Sequence, residues 1–135
     1  MASYTVDAVA LLVYLVDALP ERADAIFAEA EAGETVISTP STALAEVLYS
    51  VSRDKNVGGI TLTGTPEDAR RALTTDGPVS VAPVGEAELA EYAHLVEEFS
   101  IHDTFVVASH VAQETEAIVT TEGVLGDAGF ETVWK

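Results

Sequence analysis

Residues 4–16 read YTVDAVALLVYLV, a short β-type run that ends at an aspartate and continues as an apolar helix. The first three residues favour a strand, and residues 8–19 predict a helix that Pro20 stops. Asp7 lies between them, close to apolar neighbours. A buried carboxylate there needs a cation, hydrogen-bond donors or solvent. Asp7 is therefore either the N-cap of the first helix or part of a functional site.

Strand and helix patterns alternate along the rest of the chain. Further strands are predicted at residues 35–39, 79–83, 117–120 and 131–134. Further helices are predicted at residues 21–32, from Pro40 or Ser41 through Val51, from Thr65 to the residues before Gly77, at 86–99, and from His102 or Asp103 to about Glu114. Residues 56–64 are predicted to be a loop. The alternation predicts one α/β domain over residues 1–135, a three-layer α/β/α fold with a central parallel sheet of four to five strands.

The charge balance is unusual, because 6 Lys and Arg residues face 23 Asp and Glu residues, a formal net charge of −17. Acid-rich chains are often disordered, but a hydrophobic content of 48% and regular periodicity argue for a folded domain. Such a surface suits cytoplasm at molar salt, where the Debye length falls to about 3 Å, so we expect a halophilic source. At ordinary salt this charge repels nucleic acid.

The sequence also limits the compartment and the kinds of metal site. It contains no cysteine, which excludes disulfides and thiolate ligands. No apolar run is long enough to cross a membrane, and no basic segment precedes the first apolar run, so no signal peptide is expected. We therefore expect a cytoplasmic protein.

Because the chain has 23 acids, abundance alone does not indicate a site. Position in the predicted fold singles out four carboxylates: Asp7, Glu46, Asp103 and Glu122. In a parallel sheet, ligands bind beyond the carboxyl ends of the strands. Asp7 and Glu122 follow predicted strands, and Glu46 and Asp103 lie near predicted helix starts. Each has a structural alternative: N-caps for Asp7 and Asp103, a surface position for Glu46, and the first turn of a short helix for Glu122.

A cluster of carboxylates has a definite chemistry. Oxygen-only ligands suit Mg²⁺ or Mn²⁺ rather than Zn²⁺. Such ions can lower the pKa of a water molecule, orient it and neutralise charge that develops on a phosphodiester. The four positions therefore predict a metal-dependent site that hydrolyses a nucleic-acid strand.

At these positions the chain resembles the PIN-domain family, most closely the small VapC-like ribonuclease toxins. The resemblance is carried, in order along nearly the whole chain, by VDA at residues 6–8, STALAEV at 41–47, HDTFVVA at 102–108 and IVTTE at 118–122. It implies a parallel-sheet PIN fold, a catalytic and metal-binding set of Asp7, Glu46, Asp103 and Glu122, Mg²⁺ or Mn²⁺ as cofactor, RNA as substrate, an antitoxin partner and a homodimer. The chain departs from the family at Glu122, where aspartate is usual, and in 123–126, which lack a further acid.

Two other functions remain open at this stage. The chain is either an Mg²⁺-dependent endoribonuclease or a binding or scaffold protein of the same fold with a weakened metal site. A receiver-like or phosphatase-like domain is a third alternative, although such domains pair acids near the first strand, and Asp7 is followed by Ala8 and Val9. The apolar faces of the first two helices are either core or dimer surface.

Several other polar residues also have two interpretations. His102 either contacts substrate or is an exposed helix-start residue, and the Thr120 hydroxyl could orient a water molecule in the site. Most of the positive charge falls in and around the loop between the third and fourth helices, at Arg53, Lys55, Arg70 and Arg71. These side chains either contact phosphate or form surface ion pairs.

Overall fold

The computed structural model describes residues 1–121 and 123–135. The described residues form seven strands: β1 (Ala2–Val6), β2 (Thr35–Pro40), β3 (Asn56–Val57), β4 (Ile60–Thr61), β5 (Val79–Ala82), β6 (Ala117–Val119) and β7 (Thr132–Val133). They also form seven α-helices: α1 (Ala8–Leu15), α2 (Glu21–Glu31), α3 (Ser41–Ser52), α4 (Pro66–Arg70), α5 (Glu86–Leu95), α6 (Ile101–Gln113) and α7 (Gly123–Asp127). A π-helical turn, Arg71–Thr75, extends α4.

Five strands form one parallel sheet in the order β5-β2-β1-β6-β7, flanked by helices. The predicted α/β class and its central sheet are therefore confirmed, with five strands. From β1 the chain passes to β2 and β5 on one side, then returns to β6 and β7 on the other. The strand order thus reverses between β1 and β6, where open α/β sheets bind ligands beyond their carboxyl ends.

The core lies on both faces of the sheet, as neighbouring residues of β6 show. Ile118 packs in a cluster with Val107 of α6 and Leu125 of α7. Val119 belongs to a larger cluster that also contains Leu11 of α1. Since successive side chains of a strand point to opposite faces, both faces are covered, as the near-continuous apolar sequence of β6 predicts.

The apolar faces of the first two helices are core rather than free surface. Leu11 and Leu12 of α1 and Ile26 and Phe27 of α2 are buried within the chain itself. The Phe27 ring also stacks on Tyr14, with 4.6 Å between the ring centroids. These faces are therefore already covered by the fold.

The first helix ends earlier than predicted, at Leu15 rather than at residue 19. Asp17 adopts a left-handed conformation, with φ of 55°. The amide of Ala18 donates to the carbonyl of Val13, and that of Asp17 donates to that of Tyr14. This pattern is a Schellman motif, which ends the helix before Pro20 can.

The predicted loop at residues 56–64 contains a small hairpin, which corrects the prediction. Strands β3 and β4 pair antiparallel around Gly58 and Gly59. Both glycines have positive φ, 57° and 89°, as a two-residue turn of the hairpin type requires. The Asn56 side chain accepts a hydrogen bond of 2.9 Å from the Gly59 amide and closes the turn.

The helix predicted at residues 86–99 ends at Leu95, and its apolar side chains are only partly packed. Leu89 and Val96 are exposed, whereas Tyr92 packs against Phe105 of α6 with 4.6 Å between ring centroids. The helix predicted to begin at Thr65 is confirmed. Thr65 caps α4 in a reciprocal capping box with Asp68.

No described helix exceeds the 13 residues of α6. Within the described residues, none has the length and apolar content needed to cross a bilayer.

Candidate functional site

A cleft of about 200 Å³ opens at the carboxyl end of the sheet, where β1 ends and α6 begins. It brings together three of the four predicted site residues, Asp7, Glu46 and Asp103. They come from three separate segments of the chain: the end of β1, the second turn of α3 and the first turn of α6. The remaining lining residues are Ala8, Val9, Ser100, His102 and Val106.

Asp7 is 5% exposed and held by hydrogen bonds on both carboxylate oxygens. Its Oδ1 accepts from the Ala10 amide at 2.8 Å, and its Oδ2 accepts from the Thr120 hydroxyl at 2.5 Å. The first bond makes Asp7 the N-cap of α1. Asp7 is therefore the N-cap that one interpretation predicted, and the same carboxylate also lines the cleft.

The partner of Asp7 comes from the neighbouring strand. Val6 and Val119 are in register in the parallel pair of β1 and β6, so the residues that follow them meet at the switch point. Thr120 is 3% exposed, and its amide donates to the Val133 carbonyl at 3.1 Å. The backbone that carries this hydroxyl is thus tied to β7 as well as to β6.

The Asp103 carboxylate is not a helix cap, which corrects the alternative considered from sequence. Ser100 is the N-cap of α6, and its hydroxyl accepts a hydrogen bond of 3.2 Å from the Asp103 amide. Asp103 is half-buried at the third helical position. Among the described residues its side chain has no hydrogen-bond or ion-pair partner, so its oxygens remain available to the cleft.

Glu46 is half-buried and approaches His102 across the cleft, with 3.4 Å between Glu46 Oε2 and His102 Nδ1. The His102 side chain is 62% exposed. This pair is not predictable from the sequence, because the two residues are far apart in the chain. An exposed pair of this kind contributes little to stability, so its significance is its place at the mouth of the cleft.

Glu122, the fourth predicted site residue, lies outside the described residues. The departure from the family pattern at this position therefore stays a sequence observation.

The electrostatics of the cleft favour a cation. Three carboxylates share a small volume with hydrophobic walls at Ala8, Val9 and Val106, and like charges in a poorly solvated space repel one another. Within the described part of the chain, no three Asp, Glu, His or Cys side chains are close enough together to hold one metal ion. Mg²⁺ often binds through one or two carboxylates, with waters and substrate phosphates as its other ligands, so the oxygen donors present fit such an ion.

Ser100 is the contributor that the sequence interpretation missed. The local pattern was present, because Ser100 stands three residues before Asp103, the spacing at which a serine caps a helix and an acid occupies its first turn. The position of the N-cap determines whether the Asp103 carboxylate caps the helix or remains available to the cleft.

The parallel five-stranded sheet, with acids at its switch point, defines a PIN-type α/β fold of the VapC-like kind. Among solved structures, the chain is similar to VapBC2 from Rickettsia felis bound to a DNA fragment from their promoter. The TM-score is 0.72 at 14% identity, over 98% of this chain and 99% of that one. It is also similar to VapC20 from Mycobacterium tuberculosis, a sarcin-ricin loop cleaving toxin, with a TM-score of 0.68 at 20% identity over 98% and 99%.

These similarities concern the fold. No family model matches the sequence, and no curated protein matches it. The chain therefore has the fold of the VapC-like PIN domains, with a sequence only 14% and 20% identical to those of the two similar structures.

Proposed function

We propose that the protein is an Mg²⁺- or Mn²⁺-dependent endoribonuclease and that Asp7, Glu46 and Asp103 form its active site. The observation that carries the proposal is that three carboxylates from three separate segments line one cleft at the switch point of the sheet. The similarity to VapC20, described as a sarcin-ricin loop cleaving toxin, supports RNA as the substrate class.

Each carboxylate has a distinct structural role in this proposal. Asp7 is the rigid member, held by the Ala10 amide and the Thr120 hydroxyl. Asp103 is the available member, since Ser100 caps its helix. Glu46 is the member at the mouth of the cleft, with a side chain that is 37% exposed and paired with an exposed histidine. We expect Glu122 to complete the set, as the resemblance implies.

The metal would be held by two of these carboxylates together with waters and substrate phosphate. When bound, the ion supplies the positive charge that a phosphodiester needs as its oxygens become more negative in the transition state. The chain supplies the rest: the Asp7 and Asp103 carboxylates provide the negative charge that would attract the ion, and Val9 and Val106 line the cleft beside them.

The structural similarity to VapBC2 supports a partner protein that silences the nuclease, as in a toxin–antitoxin pair. We also propose a homodimer and a cytoplasmic location, as expected from the family resemblance and the sequence. Size-exclusion chromatography with light scattering measures the oligomeric state directly.

A binding or scaffold protein with a weakened metal site is the second candidate. It is favoured by one observation, the lack of three ligating side chains close together within residues 1–121 and 123–135. In that case the cleft would bind a partner without hydrolysing RNA, and the protein would not bind Mn²⁺ in a titration.

Cleavage of end-labelled RNA in the presence of Mg²⁺ separates these candidates, with the wild type compared with Asp103→Asn. Asp103 is preferred to Asp7 for this substitution because Asp7 also caps α1. The matched control is Asp127→Asn, which removes an exposed acid of α7 outside the cleft. We expect cleavage by the wild type and the control but not by Asp103→Asn. Equal cleavage by all three proteins would refute the site.

A further inference from the structure

The Arg53 side chain carries a charge that no acid of the described structure pairs with. The side chain of Arg70 pairs with Glu67 at 2.6 Å, and that of Arg71 pairs with Asp76 at 3.4 Å. Arg53 has no ion pair or side-chain hydrogen bond within the described part of the chain, although the sequence has 23 acids. Its guanidinium instead lies over the ring of Tyr49, 4.8 Å from the centroid.

Tyr49 is the only aromatic residue among the exposed large hydrophobic residues of the described chain, with 62% of its surface accessible. An exposed aromatic side chain gains little from the fold and is well suited to contact a ligand. Because Arg53 packs against this ring, it holds the aromatic plane and the cation together in one orientation.

This pair lies on the same helix face as the cleft. Tyr49 follows Glu46 by three positions on α3 and Arg53 follows it by seven, spacings that place all three on one face. From Glu46 to Arg53 the helix rises about 10 Å. A ligand that reaches Glu46 and continues along α3 therefore meets the ring and then the guanidinium.

We propose that Tyr49 and Arg53 form a subsite for single-stranded RNA beside the cleft. The Tyr49 ring stacks on a base, and the edge of the Arg53 guanidinium donates hydrogen bonds to an adjacent phosphate. Aromatic rings accept bases of any sequence, and guanidinium groups stack on rings while their N–H groups bind phosphate. The inference rests on the proposed function, because it takes the cleft as the place where the strand is cut.

Charge favours RNA over a protein partner as the occupant. The chain has a net charge of −17, so the field around it repels anions except where a cation is unpaired. Arg53 is such a cation, next to a flat apolar ring and on the helix face that carries Glu46. An aromatic surface for a base and a hydrogen-bond donor for a phosphate together match the two parts of one nucleotide.

Fluorescence anisotropy with a labelled decauridylate tests the subsite. All proteins carry Asp103→Asn, which is expected to prevent cleavage, and titrations are made in Mg²⁺ at several KCl concentrations. Tyr49→Ala should raise Kd about five-fold or more, the loss expected for one stacked base. Tyr49→Phe keeps the ring and should stay within about two-fold of the parent.

The salt dependence of RNA binding by Arg53→Ala is a second readout, which would not change if Arg53 had only a structural role. The logarithm of the association constant falls as the logarithm of the salt concentration rises. Loss of one phosphate contact should make this slope less steep by about 0.7. Arg71→Ala, which removes a cation already paired with Asp76, should leave the slope unchanged. Circular dichroism of each variant checks that the fold is intact, which is expected because both side chains are exposed.

The inference is overturned if Tyr49→Ala and Tyr49→Phe bind equally well, if Arg53→Ala keeps the parent slope, or if the parent does not bind. It is also overturned if Tyr49→Ala changes the oligomeric state while Kd for RNA is unaltered, since the face then belongs to a protein interface. Anisotropy does not depend on cleavage, so the failure of the subsite and the failure of the nuclease are separate results.

Discussion

Thr120 at the end of β6 donates a hydrogen bond of 2.5 Å to Asp7 at the end of β1, across 113 residues of sequence. Both side chains are almost fully buried. The bond ties the two strands that border the switch point and holds an acid of the cleft in one orientation. It connects the stability of the sheet edge to the geometry of the proposed active site.

Thr120→Val should therefore lower both stability and activity. The substitution keeps the shape of the side chain but removes the hydroxyl donor from a buried carboxylate, and hydrogen bonds to charged groups contribute about 1.5–3 kcal/mol. We expect a loss of this size in the free energy of unfolding, measured with urea, and slower RNA cleavage. Thr120→Ser retains the donor and should recover most of both. A change below about 0.5 kcal/mol in Thr120→Val would contradict this role for the bond.

Ser100→Ala tests the cap that frees Asp103. Removing a serine N-cap costs about 1 kcal/mol, and here the loosened turn of α6 carries an acid of the cleft. We expect reduced stability together with reduced cleavage. Ser100→Thr keeps a neutral capping hydroxyl and should behave like the wild type. Full cleavage by Ser100→Ala at reduced stability would show that the cap does not position Asp103.

His110 should make stability depend on pH. Burial lowers the pKa of His110 from its ordinary value of 6.5, and its Nδ1 lies 2.6 Å from the Thr115 hydroxyl. Because the unfolded chain takes up this proton more readily than the folded one, the contribution of His110 to stability is retained above about pH 6.5 and is lost as pH falls below it. The free energy of unfolding of the wild type should therefore fall more steeply from about pH 7.5 to 5.5 than that of His110→Gln. Parallel curves would contradict the assignment.

The chain should become more stable as salt rises. A net charge of −17 in 135 residues produces self-repulsion that is screened when the Debye length falls from about 10 Å at 0.1 M to about 3 Å at 1 M salt. We expect the melting temperature to rise by at least about 4 °C over this range, the shift that roughly 1 kcal/mol produces. An unchanged or lower melting temperature in KCl would argue against a salt-adapted protein.

The fold and part of the lining of the candidate site were predictable from the sequence because local signals agreed with the topology. The run into Asp7 and the alternation of strands and helices predicted a parallel sheet, and the rule that ligands bind at its carboxyl ends placed the acids. Asp7 and Asp103 were identified from their own surroundings. Glu46 depended on the family resemblance, and the structure places it on the same cleft.

The remaining features depend on long-range contacts or on backbone details that a pattern does not contain. The Asp7–Thr120 bond and the Glu46–His102 pair join residues that are distant in sequence. The early end of α1 depends on the left-handed backbone of Asp17. The hairpin at Gly58 and Gly59 was the exception, because two glycines between short β-type runs are a recognised turn signal that was not used.

The most direct test of the active site is a change of metal preference. The chain has no cysteine, so Asp103→Cys introduces a single thiol, a ligand that prefers soft ions over Mg²⁺. If Asp103 is a metal ligand, RNA cleavage by Asp103→Cys should be lost in Mg²⁺ and regained in part in Cd²⁺, while Asp127→Cys follows the wild type in both. Cleavage by Asp103→Cys in Mg²⁺ at the wild-type rate would contradict the proposal that this carboxylate holds the catalytic metal.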